Sequence, residues 1–305
     1  MSLRYLHYDV FTDRPLEGNQ LAVFPEPAGL TDDLMQRIAR EMNFSESTFI
    51  FPPERPDTDV RMRIFTPGEE LPMAGHPTIG STFALAHEGV IARGRTQFVF
   101  GLGVGPTPVS LEWRGDGLDF AWMTQGLPVF GARIAGREAF AAALGVDVPD
   151  LLAGAPIEVV SCGVPFLFAP LASRGAVDRA AINRPAYAAC CRASAVDELP
   201  LFLFTVDGGR AEAESVYSRM LAPGFGLAED PATGGASGPL GCYLAQHGLL
   251  PAGRLGHFIS WQGVAMQRPS RIHISIGREG GRIASVRVGG RSVLVGEGTL
   301  RIPPS

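Results

Sequence analysis

Glu70-Leu71-Pro72-Met73-Ala74-Gly75 and Glu229-Asp230-Pro231-Ala232-Thr233-Gly234 share the pattern Glu-x-Pro-x-x-Gly, at an offset of 159 residues, the distance from Glu70 to Glu229. The same offset pairs Thr78 with Ser237, Leu85 with Leu244, Ala86 with Ala245 and Gly89 with Gly248. Each copy reads as a turn that opens a helix, closed by a glycine. Small residues occupy every face of both helices: Gly80, Ser81, Ala84 and Ala86 in one, Gly238, Gly241, Cys242 and Ala245 in the other. A helix without a polar stripe is a buried helix, and small side chains let a sheet approach it closely. The repeat therefore predicts an α+β fold of two pseudosymmetric lobes, each a curved mixed β-sheet wrapped around a central helix, about 77–88 and 236–247.

The rest of the chain supplies the sheets. Alternating or apolar runs bounded by turn residues read as strands at 5–11, 21–24, 48–51, 60–65, 96–100, 109–113 and 118–123. Further runs follow at 158–160, 166–169, 201–206, 215–221, 258–261, 272–276, 286–288 and 293–295. Outside the central pair only two helices are clear. One is capped by Thr31 with Leu34, Met35, Ile38 and Met42 on one face up to Asn43, and the other runs over 137–144 to a stop at Gly145. Helices do not alternate with strands, which argues against a doubly wound parallel sheet. The seam is expected near 126–136, dividing lobe 1–127 from lobe 128–290, with a last strand at about 291–305 packing back onto the first lobe.

Composition narrows the chemistry. The 305 residues carry a net charge of −5, with 46% apolar and 19% charged residues, which is a globular balance. All 26 basic residues are arginine. Without lysine there is neither a Schiff-base nucleophile nor a Walker-type phosphate loop. The mild acidity and the lack of an arginine stripe argue against a nucleic-acid surface. Cys162, Cys190, Cys191 and Cys242 form no C-x-x-C pair and read as reduced, buried thiols. No signal-peptide pattern opens the sequence and no run approaches 18 apolar residues, so a cytoplasmic protein away from membranes is expected. Metal ligands are scattered, Gly101–Gly105 lacks the dinucleotide spacing, and no Gly-x-Ser-x-Gly elbow occurs.

Two features can carry chemistry. The repeated helix starts, Ala74-Gly75-His76-Pro77-Thr78 and Asp230 to Ser237, would turn free N–H groups and positive dipole ends toward a cleft between the lobes, where they can hold a carboxylate or phosphate. The same glycines could instead serve only to make tight turns. Asn43-Phe44-Ser45-Glu46-Ser47 places a glutamate at the mouth of an apolar strand, where desolvation raises a carboxyl pKa toward the range useful for acid–base work. A glutamate there could equally be solvated or cap a helix, and a histidine at a helix start, His76, could be a neutral packed ring. Glu46, His76 and Asp230 near converging turns make a better case together than singly.

The sequence resembles the PhzF-like family, the phenazine-biosynthesis isomerases and their relatives within the diaminopimelate epimerase-like fold. The likeness runs through Phe11-Thr12-Asp13, Gly18-Asn19-Gln20, Asn43-x-Ser45-Glu46-Ser47, Arg63-Ile64-Phe65-Thr66-Pro67, Ala74-Gly75-His76-Pro77-Thr78 and Glu229-Asp230-Pro231-Ala232-Thr233-Gly234. The resemblance implies a site between the lobes, a homodimer, no cofactor and no metal. It implies an isomerase in which Glu46 takes a proton from one carbon of a small carboxylated substrate and returns it to another, as in trans-2,3-dihydro-3-hydroxyanthranilate isomerase. It assigns supporting roles to His76 and Asp230 and places Asn19, Ser45, Gly75, Gly234 and Gly235 around the substrate. A catalytically silent small-acid-binding or scaffold protein that retains the pocket is the alternative. Two departures from the family pattern stand out: Gly235 where serine is common, and Gln20 where proline is common. Ala74 and Thr233 occupy the places of the paired cysteines of related racemases, which removes two-thiol chemistry.

Overall fold

The two repeated turns each open a 13-residue helix, Gly75–His87 and Gly234–Gln246, so the offset of 159 holds to the last residue of both. Both begin two residues earlier than predicted, because the glycine after each non-helical cap residue, Ala74 and Thr233, already enters the helix. In the computed structural model of the chain, residues 2–27, 29–206, 215–222 and 227–302 are described.

By contacts the chain divides into two units, Met1–Thr124 with Val288–Ser305, and Gln125–Arg287. The first begins β1 (Ser2–Val10), β2 (Asn19–Phe24), α1 (Asp32–Met42), β3 (Glu46–Phe51), β4 (Val60–Phe65) and β5 (Glu70–Leu71). It goes on with α2 (Gly75–His87), β6 (Gln97–Leu102), β7 (Gly105–Arg114) and β8 (Gly117–Gln125). The second holds β9 (Val129–Ile134), α3 (Arg137–Ala143), β10 (Ile157–Ser161), β11 (Pro165–Pro170), α4 (Arg174–Arg179), α5 (Arg184–Ala193) and β12 (Leu201–Thr205). It continues with β13 (Ser215–Ala222), β14 (Leu227–Asp230), α6 (Gly234–Gln246), β15 (Phe258–Gln262) and β16 (Ser270–Glu279). The unit boundary then falls inside β17 (Arg282–Gly290), and β18 (Ser292–Arg301) belongs to the first unit.

The strands of each unit follow one pairing order. In the first unit β1–β2 is antiparallel, β2–β3 parallel, β3–β4 antiparallel, β4–β6 parallel and β6–β7 antiparallel. In the second, β10–β11, β11–β12, β12–β13, β13–β15 and β15–β16 repeat that alternation. α2 packs against β1, β2, β3 and β18, and α6 against β10, β11 and β16. Gly75 to Leu85 are all buried, as are Ala236 to Ala245. The small residues set the distance of approach. A Cβ on Gly80 would come within 2.5 Å of Leu21 and 2.6 Å of Val10, and one on Gly241 within 2.8 Å of both Ile274 and Ile276.

The glutamates of the repeated turns are structural. Glu70 takes two hydrogen bonds from Arg63, at 2.7 and 2.6 Å, and Glu229 takes two from Arg219, at 3.0 and 2.8 Å. Each arginine sits two residues before the strand partner of its glutamate, Phe65 opposite Glu70 and Leu221 opposite Glu229. The third nitrogen of each fork reaches an outer helix. Arg63 donates to Asp32 at the start of α1, and Arg219 donates to the carbonyls of Val177, Asp178 and Ala180 at the end of α4.

Several expectations need correction. The stretch 126–136 is not only a seam, because it contains β9, which pairs with β10. Strand β7 starts four residues early and runs through Pro106 and Pro108, beyond the end of its ladder with β8, where a missing N–H costs nothing. Helices α4 and α5 were not predicted. Residues 303–305 of the expected last strand lie outside the described residues, while β18 pairs antiparallel with β1 from Ser2↔Arg301 to Val10↔Ser292. All four cysteines are free and buried, and the Cys162 and Cys242 sulfurs lie 3.8 Å apart. Among the described residues no helix is long and apolar enough to cross a membrane.

Candidate active site

In the first unit, local geometry delivers three polar side chains to one point. Helix α1 ends at Asn43, whose left-handed backbone (φ 53°, ψ 28°) lets its N–H bond Ala39 and turns the chain into β3. Strand β3 opens with Glu46, in parallel register with Leu21. Gly18 (φ +69°) makes the turn before β2, where a Cβ would strike the carbonyl of Val10, and so brings Asn19 opposite Val10. His76 is the second residue of α2. Glu46 Oε2 lies 3.2 Å from His76 Nδ1, and Asn19 Nδ2 lies 3.3 Å from the same nitrogen. Thr48, on the Glu46 face of β3, bonds Ser81 of α2 at 2.9 Å and locks strand to helix.

Burial dominates the electrostatics. His76 is 3% exposed, and desolvation pulls its pKa from 6.5 to about 3, against an opposing hydrogen bond with the backbone of Gln20. The ring is neutral at physiological pH. A neutral imidazole nitrogen facing a carboxyl oxygen is an acceptor when the carboxyl is protonated and a donor when it is ionised. The Asn19 amide N–H₂ can only donate, so beside it Nδ1 is an acceptor, the form that meets a protonated Glu46; the Nδ1–H tautomer meets the carboxylate only by giving up the Asn19 bond. Ser45 precedes Glu46 directly, and Gly75 precedes His76.

The second unit holds Asp230, Gly234 and Gly235. Asp230 closes β14, and its Oδ2 accepts from the Thr233 hydroxyl at 2.6 Å. Gln262 of β15 accepts from the Thr233 backbone N–H at 3.1 Å and donates to the Asp230 carbonyl at 2.8 Å and to Thr233 Oγ1 at 2.9 Å. Gln125 donates to the Gly234 carbonyl at 2.9 Å. Thr78 and Ser237, aligned by the repeat, each bond the carbonyl four residues back, Ala74 and Thr233. In the first turn of α6 the Ala236 N–H bonds the Thr233 carbonyl at 3.1 Å, while the N–H groups of Gly234 and Gly235 have no acceptor within the helix. A Cβ at Gly235 would meet nothing nearer than the Phe166 ring at 3.8 Å, so packing does not demand glycine there.

Set against known proteins, residues 8–298 match the family model described as phenazine biosynthesis-like protein, PhzC-PhzF. The chain belongs to the PhzC-PhzF family. Trans-2,3-dihydro-3-hydroxyanthranilate isomerase of Pseudomonas aeruginosa is 37% identical over 296 residues, covering 97% of this chain and 98% of that protein. An uncharacterized isomerase of Mesorhizobium japonicum is 36% identical over 301 residues, 98% of either chain. The crystal structure of a PhzF-family phenazine biosynthesis protein from Bacillus anthracis is similar with a TM-score of 0.87 at 26% identity, covering 99% of this chain and all of that one. The protein is an isomerase of this family, with the family's two-lobed α+β fold.

In this PhzC-PhzF isomerase the predicted residues fall into two sets. Asn19, Ser45, Glu46, Gly75 and His76 lie in the first unit, and Asp230, Gly234 and Gly235 in the second. Sequence reasoning passed over Thr233, Gln262 and Gln125. Gln262 ends an alternating strand at a position whose side chain is wholly buried, and a glutamine at an inward position is the signal that was there to be read. A cleft of about 490 Å³ in the first unit is lined by Arg61, Arg63, Glu70, Pro72 and Gly103, and none of the predicted site residues lines it. Its arginines are already ion-paired, Arg61 with Glu54 and Arg63 with Asp32 and Glu70. Among the described residues no three His, Cys, Asp or Glu side chains are grouped as a metal site.

Proposed function

We propose that this isomerase moves a proton between carbons of a small carboxylated metabolite through Glu46, in the manner its relative's name, trans-2,3-dihydro-3-hydroxyanthranilate isomerase, suggests. The observation that carries the reading is the 3.2 Å contact between Glu46 and a buried neutral His76. A group that removes a proton and returns it must be equally at home in both protonation states. In this reading the imidazole accepts from the acid form of Glu46 alongside the Asn19 amide, and donates to the carboxylate when the Nδ1–H tautomer displaces that amide bond. In the proposal the N–H groups at Gly234 and Gly235 hold the substrate carboxylate, Asp230 supports the reaction, Asn19, Ser45 and Gly75 line the pocket, and no cofactor or metal takes part. A homodimer belongs to the same proposal.

The test is Glu46→Gln with trans-2,3-dihydro-3-hydroxyanthranilate as the probe substrate. The amide keeps shape and hydrogen bonding but cannot accept the proton. Binding of the probe should persist while turnover falls on the order of a hundredfold or more, the usual contribution of general acid–base catalysis. Isomerisation at the wild-type rate in the variant would show that Glu46 is not the acid–base group.

A further inference from the structure

The two helix starts share a backbone and differ in chemistry. In the second unit the Gln262 amide has one possible orientation. Its Oε1 accepts from a backbone N–H, that of Thr233, so Nε2 is the donating end, and it donates to the Asp230 carbonyl and to Thr233 Oγ1. A hydroxyl has a single proton, and one that already accepts from Gln262 must send that proton elsewhere. Thr233 sends it to Asp230 Oδ2 at 2.6 Å, at the short, strong end of O–H···O bonds. Gln262 is wholly buried, Asp230 is 5% exposed and Thr233 is 9% exposed.

The first unit makes the same turn without any of this. Leu71 and Ala74 stand where Asp230 and Thr233 do, and Leu102 stands where Gln262 does. The last equivalence follows from the residue directly after each strand. Gly103 backs onto Pro72, 2.8 Å from its Cα to a built Cβ, and Gly263 backs onto Pro231 in the same way at 3.1 Å. The 13-residue helix after each turn forms equally well with leucine, alanine and leucine. The fold therefore does not require the amide, the hydroxyl and the carboxylate, and burying them costs desolvation that apolar residues avoid.

We propose that Gln262 and Thr233 are positioning residues for Asp230: Gln262 commits the Thr233 hydroxyl proton to the Asp230 carboxylate and so fixes its rotamer and its role as an acceptor. The role in turnover rests on the reading of Asp230 given under Proposed function, whereas the proton relay itself does not.

The experiment uses Gln262→Leu, Thr233→Val, their double variant and Thr233→Ser in the full-length protein. A hydroxyl proton buried on a carboxylate exchanges slowly and gives a downfield proton resonance. Wild type should show that resonance, Thr233→Val should lack it and so assign it, and Gln262→Leu should shift or lose it. With trans-2,3-dihydro-3-hydroxyanthranilate as probe, either single variant should lower kcat by roughly tenfold to a hundredfold, with KM changed far less. The double variant should be no slower than the slower single one, because both cut the same relay, and Thr233→Ser should recover most of the loss. A resonance that Gln262→Leu leaves untouched overturns the relay, whether or not Glu46→Gln slows the reaction. A resonance that responds while kcat stays at the wild-type level overturns the positioning role, as do additive losses in the double variant. If Gln262→Leu does not fold, Gln262→Asn, whose shorter side chain draws the amide away from Thr233 Oγ1, carries the same two readouts.

Discussion

His76 ties the stability of the first unit to pH, and the sign follows from its burial. An unfolded chain binds a proton at this ring below about pH 6.5, whereas the folded chain does so only near pH 3. Between these values the unfolded state holds more protons, so stability is complete above about 6.5 and is lost as pH falls toward 3. For a fully buried ring the loss is bounded at roughly 5 kcal/mol. We predict that His76→Asn flattens this acid limb, read as the denaturant midpoint at pH 4.5 relative to pH 7.5. A limb as steep in the variant as in the wild type would assign the acid sensitivity to other groups. At this scale the sequence was legible where a residue's place is written in its neighbours: Glu46 follows a helix cap and His76 follows a helix-opening glycine, whereas Asn19 was named only through the family resemblance. Gln262 was not legible, because its role depends on the turn of residues 230–233, which only the folded sheet brings beside it.

Helices α2 and α6 fit their sheets because their side chains are small, and this makes a sharp expectation at Gly80. A Cβ there already intrudes on Leu21 and Val10, so Gly80→Val must displace a packed strand pair. We predict a loss of about 1–3 kcal/mol or more, the usual cost of overpacking. Equilibrium denaturation should show it, and an unchanged midpoint would mean that the sheet yields more readily than its packing implies. The central helices were readable from one offset because no residue is inserted between turn and helix end. The strands around them drifted: Arg63 and Arg219 correspond at 156 residues and Gly103 and Gly263 at 160, so a fixed offset of 159 could not pair them. Helix α5 escaped notice for a different reason. Its buried face is Tyr187, Ala188, Cys190 and Cys191, and with Ala189 and Ala193 on the exposed face and arginines only at positions 184 and 192, the two faces show little contrast.

For the molecule as a whole, the last strand is a structural closure. β1 is hydrogen-bonded to β2 on one side and β18 on the other, and Leu300 and Ile302 pack into the core beside Leu3 and Phe24. Ending the chain at Arg291 would strip that core and leave β1 as a bare edge, which is a template for intermolecular pairing. We predict that the shortened protein is recovered aggregated, by solubility and size-exclusion chromatography. A soluble truncated chain with the wild-type melting profile would mean that β18 is dispensable.

The same closure has a consequence for biosynthesis. Residues 125–287 are spliced into the sequence of a unit whose last strand comes after them. A ribosome adding about 5–20 residues per second takes on the order of ten to thirty seconds to traverse that insertion. Throughout this time the earlier unit can assemble only with one flank of β1 unzipped, while everything the inserted unit needs is made by Arg287. Slower translation therefore lengthens the vulnerable interval of the part made first and gives the part made second more time to fold.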